Sequence, residues 1–151
     1  MICASSRQMN PDFKITQPTS SRWVKCISTQ GNIRGIAVDA TELVQQMVGL
    51  HRLKGTHAQG LGESVMGALL IASCCKAGQR INLNIQGSGF FQQALVDAYP
   101  DGAVRGYVIE RDDSRAQLGD GEGPWGTGIL SVLRTKDVEG ERPYIGTVPL
   151  L

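Results

Sequence analysis

With 151 residues the chain has room for one domain, which by the usual size scaling buries about two-thirds of its unfolded surface. Apolar residues make up 41% and charged residues 19%, with 19 glycines, a mix that suits a turn-rich β or α+β domain and excludes disorder throughout. A net charge of +1 leaves no uniform field to hold nucleic acid or acidic lipid, so neither is an expected partner.

Residues 1–21 carry Pro11, Pro18 and several Ser and Thr without an apolar period, and are expected to form a loose arm ahead of a single domain over 22–151. Next, Trp23-Val24-Lys25-Cys26-Ile27 and Ile33-Arg34-Gly35-Ile36-Ala37-Val38 flank Gln30-Gly31-Asn32, the pattern of a β-hairpin. Asp39 stands three residues before Glu42, a capping-box spacing that predicts a helix to about Gly49 with Leu43, Met47 and Leu50 on its apolar stripe. Thr56, with Gln59 reaching back to it, predicts a second helix that runs to Ala77 and stops at a left-handed Gly78. Its stripe of Leu61, Val65, Ala68, Leu69 and Ala72 is joined by Met66, Leu70, Ile71 and Cys74 almost all the way round, as in a buried helix.

Strict alternation follows: Ile81, Leu83 and Ile85 interleave with Arg80, Asn82, Asn84 and Gln86, which predicts a strand with one face in a core. Gly87-Ser88-Gly89 turns the chain into Ala94-Leu95-Val96-Asp97-Ala98, and Pro100-Asp101-Gly102 turns it again into 104–109, giving a three-stranded antiparallel meander. After a polar, glycine-rich stretch over 111–128, residues 129–133 and 144–148 read as another strand pair around a charged loop at 136–142. The close on Val148, Leu150 and Leu151 has no polar cap, and a domain that continues is expected. If Ile81, Leu83 and Ile85 face the core, pairing puts Ala94, Val96, Ala98, Val104 and Val108 beside them. The other face then shows Leu95, Tyr107 and Ile109 with Asn82, Asn84, Asp97 and Arg105, a mixed surface that is either covered or used for binding. Phe90 and Phe91 either extend that surface or plug the core.

Motifs for catalysis are incomplete. Gly121-Glu122-Gly123-Pro124-Trp125-Gly126 spells G-x-G-x-x-G but leads into a strand rather than a helix, which is a loop's context. Gly62-Glu63-Ser64-Val65-Met66-Gly67 has its second glycine one place late for a nucleophile elbow and lies within a helix. Ser73-Cys74-Cys75-Lys76 has S-x-x-K spacing without the accompanying S-D-N and K-T-G. Asp112 and Asp113 beside Arg111 and Arg115 read as a solvated loop. With no acid, base and nucleophile set to assemble, a non-enzyme is expected, and no catalytic residue is assigned.

Cys3, Cys26, Cys74 and Cys75 form neither a disulfide framework nor a C-x-x-C knuckle, which fits a reducing compartment. Cys74 and Cys75 are helix neighbours about 100° apart, poorly placed to bond each other, and are expected to be small buried hydrophobes. His51 and His57 lie about two helical turns or more from them, too far for a metal set. Residues 1–10 lack a basic stretch leading into an apolar core, and 65–77 is too short and polar to span a bilayer. A soluble, cytoplasmic protein is expected.

Several of these landmarks in register resemble the heat shock protein 33 family of redox-regulated holdase chaperones: Arg34-Gly35-Ile36-Ala37-Val38, the helix ending at 72–78, Leu83-Asn84-Ile85-Gln86-Gly87-Ser88-Gly89, Val104-Arg105-Gly106-Tyr107-Val108, Gly126-Thr127-Gly128-Ile129-Leu130-Ser131-Val132, and Tyr144-Ile145-Gly146-Thr147-Val148-Pro149-Leu150. The resemblance runs from Trp23 onward and implies an α+β fold, antiparallel sheets packed around buried helices. It also implies ATP-independent binding of unfolded client proteins in stress, switched by oxidation of a zinc-bound C-x-C and C-x-x-C cluster in a C-terminal domain. None of the four cysteines here has those spacings, so no metal ligand carries over and no cofactor is expected in this chain. Ser88 and Phe90 depart from the family's usual Asp and Pro, a change of local geometry more than of function. The resemblance thus covers the N-terminal portion only, with the covering linker and the zinc domain expected beyond it. Without a cover, Leu95, Tyr107 and Ile109 are the expected client-binding residues, in a mode independent of redox state, and the same surface is a route to a homodimer. The alternatives are a thiol-dependent enzyme using Cys74 and Cys75, or a non-catalytic assembly module.

Overall fold

β-Branched and aromatic residues build β1 (Arg22–Ile27), which pairs antiparallel with β2 (Arg34–Asp39), Cys26 opposite Gly35. In this computed structural model the described residues are 22–111, 123–136 and 142–150; the expected arm, the aspartates 112 and 113, and Arg115 lie outside them. The hairpin is the one expected around Gln30-Gly31-Asn32, but its connection spans residues 28–33. Ser28 closes it, its hydroxyl accepting from the N–H groups of Asn32 and Ile33 at 3.1 and 3.2 Å.

α1 (Thr41–His51) begins with Ala40 as its N-cap residue, which places Glu42 one position too early to complete the expected capping box. Asp39 accepts instead from the Thr41 hydroxyl at 2.8 Å and the Thr41 N–H at 3.2 Å. Those two bonds, the hydroxyl's first, hold its carboxyl below the usual 3.8. A lowered folded-state pKa contributes stability that is present above the unfolded value and lost as pH falls through the folded one. Asp39→Asn should therefore flatten the acid limb of a plot of urea midpoint against pH. The helix buries Leu43 and Met47 as expected, whereas Leu50 is left exposed. It ends on Arg52 with φ of 55°, a left-handed position where a side chain is strained. Arg52→Gly is expected to raise stability by about 0.5–1 kcal/mol, read as an increase in urea midpoint.

α2 (Thr56–Ala72) is preceded by Gly55, and the Gln59 amide reaches forward to Glu63 at 2.7 Å rather than back to Thr56. It stops five residues before the expected Ala77, because Ser73 turns its hydroxyl onto the Leu70 carbonyl at 2.6 Å and the next N–H groups bond three residues back. Gly78 is left-handed as expected, with φ of 76°, but it shapes a separate turn after Lys76. Consequently Cys74 is exposed and Cys75 half-buried, not the buried hydrophobes the longer helix implied. The expected stripe, Leu61, Val65, Ala68, Leu69 and Ala72, is buried, while Leu70 and Ile71 emerge on the helix flank.

Beneath α2 lie β3 (Gln79–Gly87), β4 (Phe91–Ala98) and β5 (Val104–Glu110), the expected meander. β6 (Gly128–Lys136) adds to the free edge of β3 and carries β7 (Tyr144–Leu150), so the order is β5-β4-β3-β6-β7, all antiparallel. The architecture is thus α+β with antiparallel sheets, as expected. Register puts Val108, Ala94, Ile85 and Leu130 in one inward row, and Val96, Leu83 and Val132 in the next. One end of the sheet is knotted by the β3–β4 turn against residues 124–127. Ser88 N–H donates to Thr127 O at 2.8 Å, Gly89 N–H to Trp125 O at 2.9 Å, and Arg111 caps the Gly87 carbonyl at 2.8 Å. A Cβ on Gly87 would stand 2.2 Å from the Trp125 carbonyl oxygen, so only glycine fits there. Arg111 is therefore a structural tie and not part of a solvated loop. Gly123-Pro124-Trp125-Gly126 is a turn, with Gly126 N–H returning to Gly123 O at 2.9 Å.

Candidate functional site

The outer face of the sheet alternates with the core residues, and the register makes its pattern explicit. Leu95 on β4 lies directly opposite Tyr107 on β5, and Ile109 follows one step along the same face, opposite Gln93. The three expected residues therefore share one patch. Leu95 and Tyr107 are half-buried against their neighbours, and Ile109 is 40% exposed.

A second apolar patch, absent from the expectations above, stands on the far side of this face. Leu133 of β6 pairs with Ile145 of β7, and Ile129 with Pro149; Ile129 is 48% and Ile145 62% exposed. Its signal was present as apolar residues on both parities of β6, Ile129 and Leu133 against Leu130 and Val132, but assigning a face needed the pairing with β3. No helix packs on the outer face among the described residues.

Between the patches β3 is polar, Asn84 accepting from the Gln93 amide at 2.9 Å, while inside the second patch the Ser131 and Thr147 hydroxyls meet at 3.2 Å between its two apolar rows. At one end Asp97, only 8% exposed, accepts from the Asn82 amide at 2.9 Å and from Arg105 through Nε at 2.8 Å and Nη2 at 2.7 Å. Arg80 approaches the same carboxylate at 3.9 Å. Such a paired, hydrogen-bonded carboxylate locks three strands together without leaving a buried charge unmatched. The face thus presents two apolar strips held at fixed spacing by a rigid polar seam.

The remaining motif residues do other things. Ser64 is buried and donates to Gly60 O at 2.7 Å, Ser73 is spent on Leu70, and His57 pairs with Glu110 against the rings of Phe90 and Phe91. Phe91 is fully buried, which resolves the two readings of that pair for Phe91 in favour of the core, and Phe90 packs edge-on against it at 5.1 Å. Among the described residues no three His, Cys, Asp or Glu side chains converge as a metal site would require. No helix among them is long and apolar enough to cross a membrane.

Comparison with known proteins adds to this geometry. The profile of a family described as Hsp33 protein matches residues 21–151. The chain is 35% identical over 133 residues to the 33 kDa chaperonin of Geobacter sulfurreducens, covering 84% of this chain and 43% of that one. It is 37% identical over 134 residues to the 33 kDa chaperonin of Gloeobacter violaceus, covering 85% and 43%. The crystal structure of the Thermotoga maritima 33 kDa chaperonin superposes with a TM-score of 0.68 over 87% of this chain and 46% of that one, at 23% identity, a likeness of fold. The chain spans less than half the length of these relatives.

Proposed function

Since the chain belongs to the Hsp33 family, we propose that it is a chaperone module whose outer sheet face holds unfolded polypeptide and keeps it from aggregating, without ATP and without catalysis. The observation that supports this most is the pair of apolar strips on a face that no helix covers among the described residues. An extended client lays apolar side chains on Leu95, Tyr107 and Ile109 and, at the same time, on Ile129, Leu133 and Ile145, while its backbone meets the polar groups of β3 between them, so that both strips are needed for capture. Non-directional apolar contact with scattered hydrogen bonds suits clients of no fixed sequence.

Light scattering of a heat-unfolding client is the test. The chain is expected to suppress scattering equally in reducing and oxidising buffer, because no residue of the proposed face is redox-active. Changing Leu95, Tyr107 and Ile109 together to Asp should abolish the effect with the circular dichroism spectrum unchanged. Full suppression by a folded triple variant would reject the surface. A stable oligomer without affinity for unfolded chains would instead support an assembly role. That outcome is favoured by edge strand β7, where Tyr144, Ile145 and Val148 are all exposed. A thiol enzyme is disfavoured at Cys75, whose thiol burial pushes above the usual 9.0. The half-point of its iodoacetamide rate against pH should accordingly lie above that of an ordinary thiol, and a half-point near neutrality would revive the enzyme reading.

A further inference from the structure

Charge is distributed unevenly over the two faces of the five-stranded sheet. Among its described strand residues only three of outward parity are charged: Arg80 on β3, Asp97 on β4 and Arg105 on β5. The others belong to the helix side: Glu110 pairs with His57 of α2, and Arg134 and Lys136 share the parity of Leu130 and Val132. The one outward carboxylate is buried and engaged by Arg105 through Nε at 2.8 Å and Nη2 at 2.7 Å. Arg80 stands 3.9 Å from it, outside hydrogen-bond reach, and is the more open of the two guanidinium side chains, 34% exposed against 22%. Two cations on one anion leave the outer face with an excess positive charge and no accessible negative one. Strand order places that charge between the apolar strips. The midlines of β4–β5 and β6–β7 are three strand separations apart, about 14 Å, which an extended chain crosses in four residues at about 3.3 Å each. Residues i and i+4 of such a chain reach the two strips from one side of its backbone, and residue i+2 lies over β3. There Asn82 stands opposite Leu133, and Arg80 is the next outward residue along the strand.

We propose that the outer face takes extended client segments in which an acidic residue stands midway between two apolar residues four apart, and rejects those with Lys or Arg at that place. The inference rests on the client-binding reading above and names the class of segment that the face prefers. A carboxylate at the midway position receives charge-assisted hydrogen bonds from the Arg80 guanidinium. A cationic side chain there meets the excess positive charge and finds no carboxylate left to accept from it, since Asp97 is already spent. The two apolar strips supply affinity that is indifferent to sequence, and the guanidinium between them supplies the choice.

The test is a fluorescence-polarisation titration of the whole chain into dye-labelled peptides with two isoleucines four apart in a serine background and Glu, Gln or Lys midway. The Glu peptide is expected to bind about threefold more tightly than the Gln peptide, and the Gln peptide about threefold more tightly than the Lys peptide, the scale of a partly exposed ion pair. Salt at about 1 M, where the screening length is about 3 Å, should erase both differences. Arg80→Gln should erase them at low salt and Arg80→Lys should keep them, with each variant's fold checked by its urea midpoint. Equal affinity for the three peptides, or a preference that survives Arg80→Gln or high salt, would overturn the inference and leave client capture standing. Binding of none of them would overturn it as well, and the light-scattering test then decides whether the client-binding reading falls with it.

Discussion

Phe91→Ala is expected to lower stability by about 3–5 kcal/mol, a larger loss than any surface change on this chain. Phe91 is the largest fully buried side chain among the described residues. Its ring lies under Gly60 of α2, where a Cβ would stand 2.6 and 2.7 Å from ring carbons, and 4.8 Å from the ring of Trp125. It therefore joins the start of α2, the β3–β4 turn and the loop before β6, and its removal opens a cavity that three backbones cannot easily collapse into. The converse change, Gly60→Leu, overfills the same space and should cost about 1–3 kcal/mol. Urea denaturation of both variants and of the pair measures the contact directly. The double variant should be more stable than the sum of the single losses predicts, by about 0.5–3 kcal/mol. Strict additivity would mean that the ring does not sit beneath Gly60.

Asp97→Ala is expected to be nearly as damaging, at about 3–5 kcal/mol, because it deprives Arg105 and Arg80 of the carboxylate they converge on. Arg80 already carries a buried Nε with no partner, so the cluster has little left with which to compensate. Replacing both sides together, Asp97→Leu with Arg105→Met, should recover most of the loss, since well-packed apolar residues substitute for buried ion pairs at little or no cost. The same double variant joins Leu95 and Tyr107 into a wider apolar strip, and client capture should strengthen while stability is restored. A variant that is stable but captures less would show that the polar seam takes part in binding.

Much of the fold was legible because period-two alternation survives in β3 and β5, where one face is buried and the other is not. Ile81, Leu83 and Ile85 identified the inward parity, and from it the pairing rule placed Leu95, Tyr107 and Ile109 together on the outer face, as the register shows. Helix ends were less legible. Asp39 and Glu42 had the spacing of a capping box, and the unbroken run of small and apolar residues through Cys74 and Cys75 had the composition of a longer helix. Both were decided by local side-chain hydrogen bonds, from the Thr41 hydroxyl and N–H to Asp39 and from the Ser73 hydroxyl to the Leu70 carbonyl, that composition does not encode.

Element order, the inward parity of the meander and the family were all present in the linear chain, since each of these rests on residue type and spacing. Three features arose only on folding. The pairing of β6 and β7 onto the free edge of β3 created the second apolar strip from residues whose two parities were equally apolar. Packing of the hairpin against the end of α2 brought the Lys25 ammonium onto the Ser73 carbonyl, far from it along the chain. Phe91 turned inward: by strict alternation it shares the outward parity of Leu95, but the ladder slips one residue between Phe91 and Gln93, so that two residues of β4 face one of β5. A bulge of that kind reverses every side chain beyond it, and it is stabilised by what the reversed ring meets, Gly60 above and Trp125 beside, which are distant along the chain and adjacent only once it has folded.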